Sequence, residues 1–203
     1  MPAKLDNQVM APEARLANDM LPPTLKVGEF RLRGLRLGDE LAWHKYLADP
    51  AVIEHTSFPV LDVDAVRAMV LRHVEEYARK SSCRWALAGS NDDLIGTCGF
   101  YSWSRASAHA DLVYDLAAAY WGKGIMQRAV TAAVEWAFAT AHFHRIQAYV
   151  ITSNQRSIAL LERCGFAREG MLRHFRLARG EPRDCYLYAR ISALPLGPVN
   201  LGG

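Results

Sequence analysis

The 203-residue sequence has few cysteines, little net charge and no long apolar run, and each absence excludes a class of protein. Its four cysteines are widely spaced and do not form the pairs typical of zinc sites, so we expect reduced thiols and no metal. A formal net charge of +3 is too weak to predict nucleic acid as a direct partner. No apolar run approaches the ~20 residues that span a bilayer, and the N-terminal residues lack the apolar stretch of a secretory signal. We therefore expect a cytoplasmic protein without a membrane partner.

The periodicity of apolar residues predicts one mixed α/β domain. Alternating or β-branched segments predict strands, and apolar residues three and four apart predict helices. The predicted order is β-α-α-β-β-β-α-β-α-β-β, running from a strand at 30–37 to a closing strand at 185–191. We expect an N-terminal arm at 1–25, a single domain at 26–194 and a C-terminal tail at 195–203.

Two glycines, Gly122 and Gly124, follow a predicted strand and stand just before a predicted helix. Glycine lets a backbone approach a ligand closely, and the N–H groups of a first helical turn attract an anion such as a pyrophosphate. Lys123 adds a positive charge between them. The phosphate-binding pattern GxxxxGK[ST] is absent, and GxGxxG is incomplete because Gln127 occupies the place of its third glycine. From these residues alone, a tight strand-to-helix turn is as good an interpretation as an anion site.

Three longer stretches make the interpretation more specific. "YWGKGIMQRAV" (120–130) is followed by "HRIQAYVITSNQRSIALLERCGFAREGMLR" (144–173) and then by "DCYLYARI" (184–191). In this order and spacing the chain resembles the Gcn5-related N-acetyltransferase (GNAT) superfamily, and within it the branch of ribosomal-protein N-terminal acetyltransferases. The resemblance implies a mixed, mostly antiparallel central sheet flanked by helices, and acetyl-CoA as the acetyl donor.

The resemblance also implies where acetyl-CoA binds. The backbone of residues 121–126 would wrap the pyrophosphate, and residues 116–118 together with Asn154 would contact the pantetheine arm. The implied cofactor-binding residues are Leu116, Ala117, Ala118, Trp121, Gly122, Lys123, Gly124, Ile125, Met126, Asn154 and Ser157. Met126 stands where the family usually has a small residue, so its side chain is expected to point into the core. Asn154 is explained equally well as the N-cap of the helix that it precedes.

Acetyl transfer also needs a base, because an amine attacks only in its uncharged form. Asp111 and Asp115 are the carboxylates best placed by sequence. They share one face of a strand with Cα atoms about 13 Å apart, so at most one of them can touch the reacting amine. The resemblance puts Asp111 where many members carry a glutamate base, and Ser157 where a serine is proposed to protonate the departing thiolate. Arg176 stands where the ribosomal branch carries a glutamate.

Each of these residues also has a simpler explanation. The acids are candidates for surface or ion-pair roles, and Ser157 for a capping hydroxyl in a first helical turn. Asp184, Glu169 and His174 are less favoured as bases or proton relays. Cys98 fits a small buried residue in a strand better than an acyl-carrying nucleophile.

We expect an N-acetyltransferase that acts by direct attack in a ternary complex, with the α-amine of a protein N-terminus as the acceptor. A small amine, such as a polyamine, an amino-acid derivative or an aminoglycoside, is the first alternative. A non-catalytic CoA-binding sensor and a scaffold that binds other nucleotides are two further ones. Among related enzymes dimers are common, so a homodimer is also considered.

Overall fold

The computed structural model describes residues 21–54 and 61–194; the remainder of the predicted arm and the predicted tail lie outside the described residues. Within these ranges one sheet contains the strands β1 (Leu25–Val27), β2 (Phe30–Gly34), β3 (Cys83–Ala88), β4 (Leu94–Ser104), β5 (His109–Leu116), β6 (Arg145–Ile151), β7 (Ala167–Ala178) and β8 (Glu181–Ile191). The accompanying helices are α1 (Asp39–Leu47), α2 (Pro50–Ile53), α3 (Val63–Ala78), α4 (Ile125–Ala139) and α5 (Gln155–Arg163), and a 3-10 turn spans Ala118–Tyr120.

The order of elements agrees with the sequence prediction except for two additions near the N-terminus. β1 begins at Leu25, the last residue of the predicted arm. The first helix, α1, ends at Leu47, and a separate short helix, α2, follows. Asp49 caps α2 by accepting a hydrogen bond from the Ala51 N–H at 2.9 Å, with Pro50 in the first helical position. Proline cannot continue a helix but suits the start of one, which explains the division.

The strands lie in the order β1-β2-β3-β4-β5-β6-β8-β7, and all the described neighbours pair antiparallel except β5 and β6. The mixed, mostly antiparallel sheet expected from the sequence is therefore confirmed. The parallel pairing of β5 and β6 covers only the rungs from His109↔Arg145 to Asp111↔Gln147. Beyond Asp111, β5 stays paired with β4 as far as Leu116, and β6 stays paired with β8 as far as Ile151. The two halves of the sheet therefore separate after Asp111.

Helices cover both faces of the sheet. α4 packs against one face, where Ala129, Val130 and Ala133 are fully buried in the same cluster as Trp85 and Phe100. α1 and α3 cover the opposite face with a second cluster of apolar side chains, which includes Leu35, Trp43, Tyr46, Leu47, Val66, Met69 and Val70. Because successive side chains of β5 alternate between these faces, each face of the split receives a different set of polar groups.

The ends of α5 follow local rules visible in the sequence. Asn154 Oδ1 accepts a hydrogen bond from the Ser157 N–H at 3.1 Å, which is an N-cap contact. At the other end Gly165 has φ 78°, and the Phe166 N–H donates to the Leu161 carbonyl at 3.0 Å. This is the Schellman ending that the Gly165-Phe166 pair predicts.

The close pairing of β3 with β4 generates a stability prediction. A Cβ on Gly99 would lie 2.1 Å from the carbonyl oxygen of Cys83 and 2.7 Å from the Cα of Arg84, both of them backbone atoms that cannot turn aside. We expect Gly99→Ala to lower the free energy of unfolding by about 1–3 kcal/mol, measured by urea denaturation. The matched control is Gly170→Ala in β7, where a Cβ would meet nothing within 4 Å. Equal stability of the two variants would contradict the observed register between β3 and β4.

Candidate active site

The glycine loop joins the 3-10 turn to α4 and leaves the N-terminus of that helix open. Gly122 and Gly124 have φ angles of 75° and 66°, in the left-handed region that favours glycine. No side chain caps α4, a helix of 15 residues. A Cβ at Gly122 would meet no atom within 4 Å, and residues 122–124 are exposed. The first-turn N–H groups therefore have no side-chain cap, an arrangement that suits a phosphate group.

Of two other loop residues, Met126 is buried and Lys123 is exposed. Met126 is only 4% exposed and packs in the core beneath α4, so its side chain points inward as the sequence analysis expects. Lys123 is exposed, and its Nζ donates to the carbonyl of Ala119 at 2.9 Å.

Two arginines that the sequence analysis did not single out stand beside this loop. A Cβ at Gly124 would lie 3.5 Å from Nη1 of Arg128, which puts that guanidinium next to the loop. Arg156, in the first turn of α5, lies over the Trp121 ring at 4.3 Å from its centroid. Arg128 follows Gly124 by one helical turn, a spacing that could have revealed it. The contact between Arg156 and Trp121 joins distant parts of the chain and leaves no local signal.

The segment expected to meet the pantetheine arm is held in place by the chain's own hydrogen bonds. Trp121 Nε1 donates to the Leu116 carbonyl at 2.9 Å, and the Trp121 N–H donates to the Ala118 carbonyl at 3.1 Å. The Ala117 N–H donates to the Ile95 carbonyl at 2.9 Å. A carbonyl oxygen has two lone pairs, so Leu116 and Ala118 keep the capacity to accept from a ligand. Their contact with pantetheine stays a prediction.

On the α4 face of the split, Ser157 and Tyr114 share a short hydrogen bond between their hydroxyl groups. Burial raises the pKa of Tyr114, against the opposing effect of this bond, so its hydroxyl stays protonated at neutral pH. Asn154, whose Oδ1 caps α5, fixes the backbone that carries Ser157. The sequence predicts Asn154 and Ser157 here; Tyr114 was missed because it reads as an ordinary core residue of β5.

Asp111 stands at the last rung before the split, on the opposite face. It pairs with Tyr101 of β4 and Gln147 of β6, so the three side chains form one row across neighbouring strands. Gln147 Nε2 donates to Asp111 Oδ1 at 2.7 Å and to the Tyr149 hydroxyl at 3.0 Å. The residue is only 7% exposed, and burial raises the pKa of its carboxyl despite the hydrogen bond from Gln147. A buried carboxylate with a raised pKa is suited to accept a proton.

Asp115 is not brought together with Asp111. Its carboxylate pairs with Arg84 in a contact where both side chains are 5% exposed. It also accepts hydrogen bonds from the Tyr46 hydroxyl and, at 2.9 Å, from Thr97 Oγ1. Both carboxylate oxygens thus have partners within the protein, and breaking a buried ion pair of this kind is costly. The surroundings of Asp115 favour a structural role, one that the sequence analysis weighed beside catalysis.

The tip of the β7–β8 hairpin stands over the face that carries Asp111. Arg179 donates to the Ile53 carbonyl at 3.1 Å and to the Glu54 carbonyl at 2.6 Å, next to α2. Nearer the sheet, Arg176 Nη2 donates to the Tyr101 hydroxyl at 3.1 Å. These contacts join residues far apart in the sequence, and no local pattern predicts them. They hold the hairpin tip over the Asp111 side of the split.

The other residues considered as bases or nucleophiles have structural partners. Glu169 forms an ion pair with Arg145 at 2.6 Å, and Asp184 accepts a hydrogen bond from the His174 N–H at 2.8 Å. Cys98 is fully buried, and burial raises the pKa of its thiol to about 12, which keeps it unreactive.

Among residues 21–54 and 61–194, no three His, Cys, Asp or Glu side chains stand together as a metal site. In the same part of the chain no helix is long and apolar enough to cross a membrane.

Comparison with known proteins decides the family. The family described as the acetyltransferase (GNAT) domain matches residues 29–167. The chain belongs to the GNAT acetyltransferase family. As in the sequence analysis, this makes the protein an N-acetyltransferase with acetyl-CoA as the donor, and the open helix N-terminus with its exposed glycines fits that cofactor.

Three similar proteins set the match in context. This GNAT chain is 31% identical over 168 residues to the uncharacterized N-acetyltransferase p20 of Bacillus licheniformis, covering 82% of this chain and 94% of p20. It is 40% identical over 98 residues to the ribosomal protein uS5-alanine N-acetyltransferase of Escherichia coli, about half of each chain. A crystal structure of ribosomal-protein-S5-alanine acetyltransferase from Vibrio fischeri aligns with a TM-score of 0.79 at 22% identity, covering 87% of this chain and 100% of that one. The last comparison supports the fold alone.

The loop geometry predicts that Gly124→Val weakens cofactor binding. A β-branched side chain is strained at the φ of 66° that Gly124 adopts, so the loop must move away from its present position. Losing one charge-assisted hydrogen bond costs roughly 1.5–3 kcal/mol, which predicts a rise of about tenfold or more in the Kd for CoA measured by calorimetry. Gly180→Val, at φ 79° with nothing within 4 Å, imposes similar strain away from the loop and serves as control. Unchanged affinity in Gly124→Val would overturn the loop assignment.

Proposed function

We propose that this enzyme transfers the acetyl group of acetyl-CoA to the α-amine of a protein N-terminus, by direct attack within a ternary complex. The observation that carries the proposal is the split between β5 and β6, which starts at buried Asp111 and leads along β5 to the open N-terminus of α4. The Escherichia coli relative, named for acetylating an alanine of a ribosomal protein, supports the N-terminus as acceptor. Such a substrate would place the reaction in the cytoplasm. Homodimer formation stays a prediction.

Different residues around the split would bind different parts of acetyl-CoA. The N–H groups of α4's first turn, with Arg128 and Arg156, would hold the pyrophosphate. Residues 116–118 and Asn154 would hold the pantetheine arm. When bound, acetyl-CoA supplies an acetyl group already activated as a thioester, so the chain's own residues have to orient the amine and move protons.

Asp111 is the proposed base. Its Oδ1 is held by Gln147 at 2.7 Å, which fixes the carboxyl at the start of the split. The raised pKa brings its affinity for a proton closer to that of an amine, which makes transfer from the incoming ammonium less unfavourable. Asp111 acts directly or through one water molecule, since aspartate is one methylene shorter than the glutamate common at this position.

Ser157 is the proposed proton donor on the opposite face. Its hydroxyl shares a hydrogen bond with the Tyr114 hydroxyl, whose raised pKa keeps a proton on that pair. A thiolate is a good leaving group, so a weak acid is sufficient there. Asp115, paired with Arg84, is left out of the proposed chemistry.

The direct test is release of CoA thiol on addition of an amine. The protein with acetyl-CoA is assayed against peptides with different N-terminal residues, free amino acids and polyamines. We expect N-terminal peptides to raise thiol release, with the acetyl group found on the α-amine by mass spectrometry. A protein that binds acetyl-CoA but acetylates none of these acceptors would instead be a CoA sensor.

Asp111→Asn tests the base. We expect kcat to fall by about 10²–10⁴-fold while the Kd for acetyl-CoA is unchanged. In the unmodified enzyme kcat/KM should rise with pH through the raised pKa of Asp111, because the carboxylate is the active form. This rise of kcat/KM with pH should be absent in Asp111→Asn. Glu169→Gln, in an exposed ion pair, is the matched control.

The same variant has a stability signature that does not depend on activity. Because the folded-state pKa of Asp111 lies above its unfolded value, ionisation of this group opposes folding above both values and has no effect below them. Asp111→Asn should therefore raise the melting temperature at neutral pH, with the gain disappearing in acid. If the variant kept full kcat and the same pH limb, another group would be the base.

A further inference from the structure

The β7–β8 hairpin changes direction at an irregular stretch of β7. Between the pairs Leu172↔Cys185 and Arg176↔Arg183, three residues of β7 stand opposite one residue of β8. His174, inside this stretch, has φ 51°. Extra residues of this kind bend a strand and re-aim the side chains that follow. Phe175 and Arg176 are the side chains that follow.

Their contacts show how far the hairpin bends. In the sheet order, β7 lies four positions from β4, about 19 Å away in a flat sheet at ~4.8 Å per strand. Nevertheless Arg176 Nη2 donates to the hydroxyl of Tyr101 on β4 at 3.1 Å. Phe175 stacks on Tyr149 of β6 with ring centroids 4.6 Å apart. The distal half of the hairpin therefore folds back over the face of the sheet, with Arg179 joined to the end of α2.

This arrangement puts a positive charge beside the proposed base. Tyr101 is the cross-strand partner of Asp111, so Arg176 reaches the side chain adjacent to that carboxylate. Tyr149, which stacks on Phe175, is linked to Asp111 through Gln147. An amine arriving at Asp111 thus meets a guanidinium and an aromatic wall. Burial raises the pKa of Asp111, and the nearby charge of Arg176 acts in the opposite direction.

We propose that Arg176 is a specificity residue for the acceptor, favouring an amine with an oxygen acceptor next to it and disfavouring polycationic amines. This rests on the proposed function. A guanidinium binds carbonyl and carboxylate oxygens through its fixed fork of N–H donors, and the first carbonyl of a peptide and the carboxylate of an amino acid both lie beside the α-amine. A polyamine brings further positive charge to the same place and is repelled.

The experiment compares three acceptors in the full-length enzyme: a peptide beginning with alanine, free L-alanine and spermidine. We expect the unmodified enzyme to have a higher kcat/KM for the peptide and for free alanine than for spermidine. The peptide offers Arg176 a carbonyl and free alanine offers it a carboxylate, so the better of the two shows which group Arg176 binds. A hydrogen bond to a charged group is worth roughly 1.5–3 kcal/mol. Arg176→Gln should therefore lower kcat/KM for the better of the two by about tenfold or more, without lowering that for spermidine. Arg176→Glu should shift the ratio further towards spermidine.

Two other variants separate this role from a general effect on folding. Arg173→Gln changes an exposed arginine at the start of the irregular stretch of β7 and should leave all three values unchanged. Tyr101→Phe removes the hydroxyl that holds Arg176, and should raise the KM for the favoured acceptor more than it lowers kcat. Equilibrium binding of the peptide to the CoA-loaded protein should weaken in Arg176→Gln to a similar extent.

The outcomes distinguish the inference from the function on which it rests. Acetylation with the same acceptor ratio in Arg176→Gln and Arg176→Glu as in the unmodified enzyme would overturn the role of Arg176 alone. A preference of the unmodified enzyme for spermidine would overturn it as well. Failure to acetylate any acceptor, with CoA bound normally, would reject the proposed function and the inference together.

Discussion

The site depends on one constraint, which is that β5 and β6 stop pairing with each other after Asp111. A parallel pair normally continues for the length of its strands, but here each strand follows its antiparallel partner after Asp111, β5 with β4 and β6 with β8. The consequence is a gap that opens between two strands that are each firmly paired on the other side. Unpaired backbone groups line this gap, and such groups need partners from a ligand or from water.

The gap also separates two kinds of chemistry. Alternation along β5 sends Asp111 to the face covered by α1 and α3, and Tyr114 to the face covered by α4. One face thus holds a carboxylate that can accept a proton, and the other holds the Tyr114–Ser157 hydroxyl pair that can supply one. Asp115 shares a face with Asp111 yet is neutralised by Arg84, so the alternation alone does not make a carboxylate catalytic. Its partners decide its role.

The parts of the site that could be predicted from the sequence are those that depend on neighbours in the chain. Gly122 and Gly124 before α4, Asn154 as a cap and Gly165 as a C-terminal stop each obey a rule that acts over a few residues. The inward direction of Met126 was predicted from the resemblance, because a bulky side chain stands where the family usually has a small residue.

The parts that could not be predicted depend on distant pairing. Arg176 meets Tyr101 across 75 positions of the sequence, and only because an irregular β7 bends over the sheet. Arg84 reaches Asp115 across 31 positions, through the register of β3, β4 and β5. The family resemblance supplied the proposed cofactor loop and the proposed role of Asp111. The proposed acceptor side, built from the hairpin and α2, has no comparable local signature.

The most direct test of this account is amide hydrogen exchange of the protein with and without acetyl-CoA. We predict that protection appears at residues 112–118, where β5 has left β6 and runs into the turn that follows it, and in the first turn of α4, with little change in β1–β3. An equal concentration of ATP should not protect β5. Protection confined to another part of the molecule, or the same pattern with ATP as with acetyl-CoA, would contradict the claim that the split between β5 and β6 is the cofactor site.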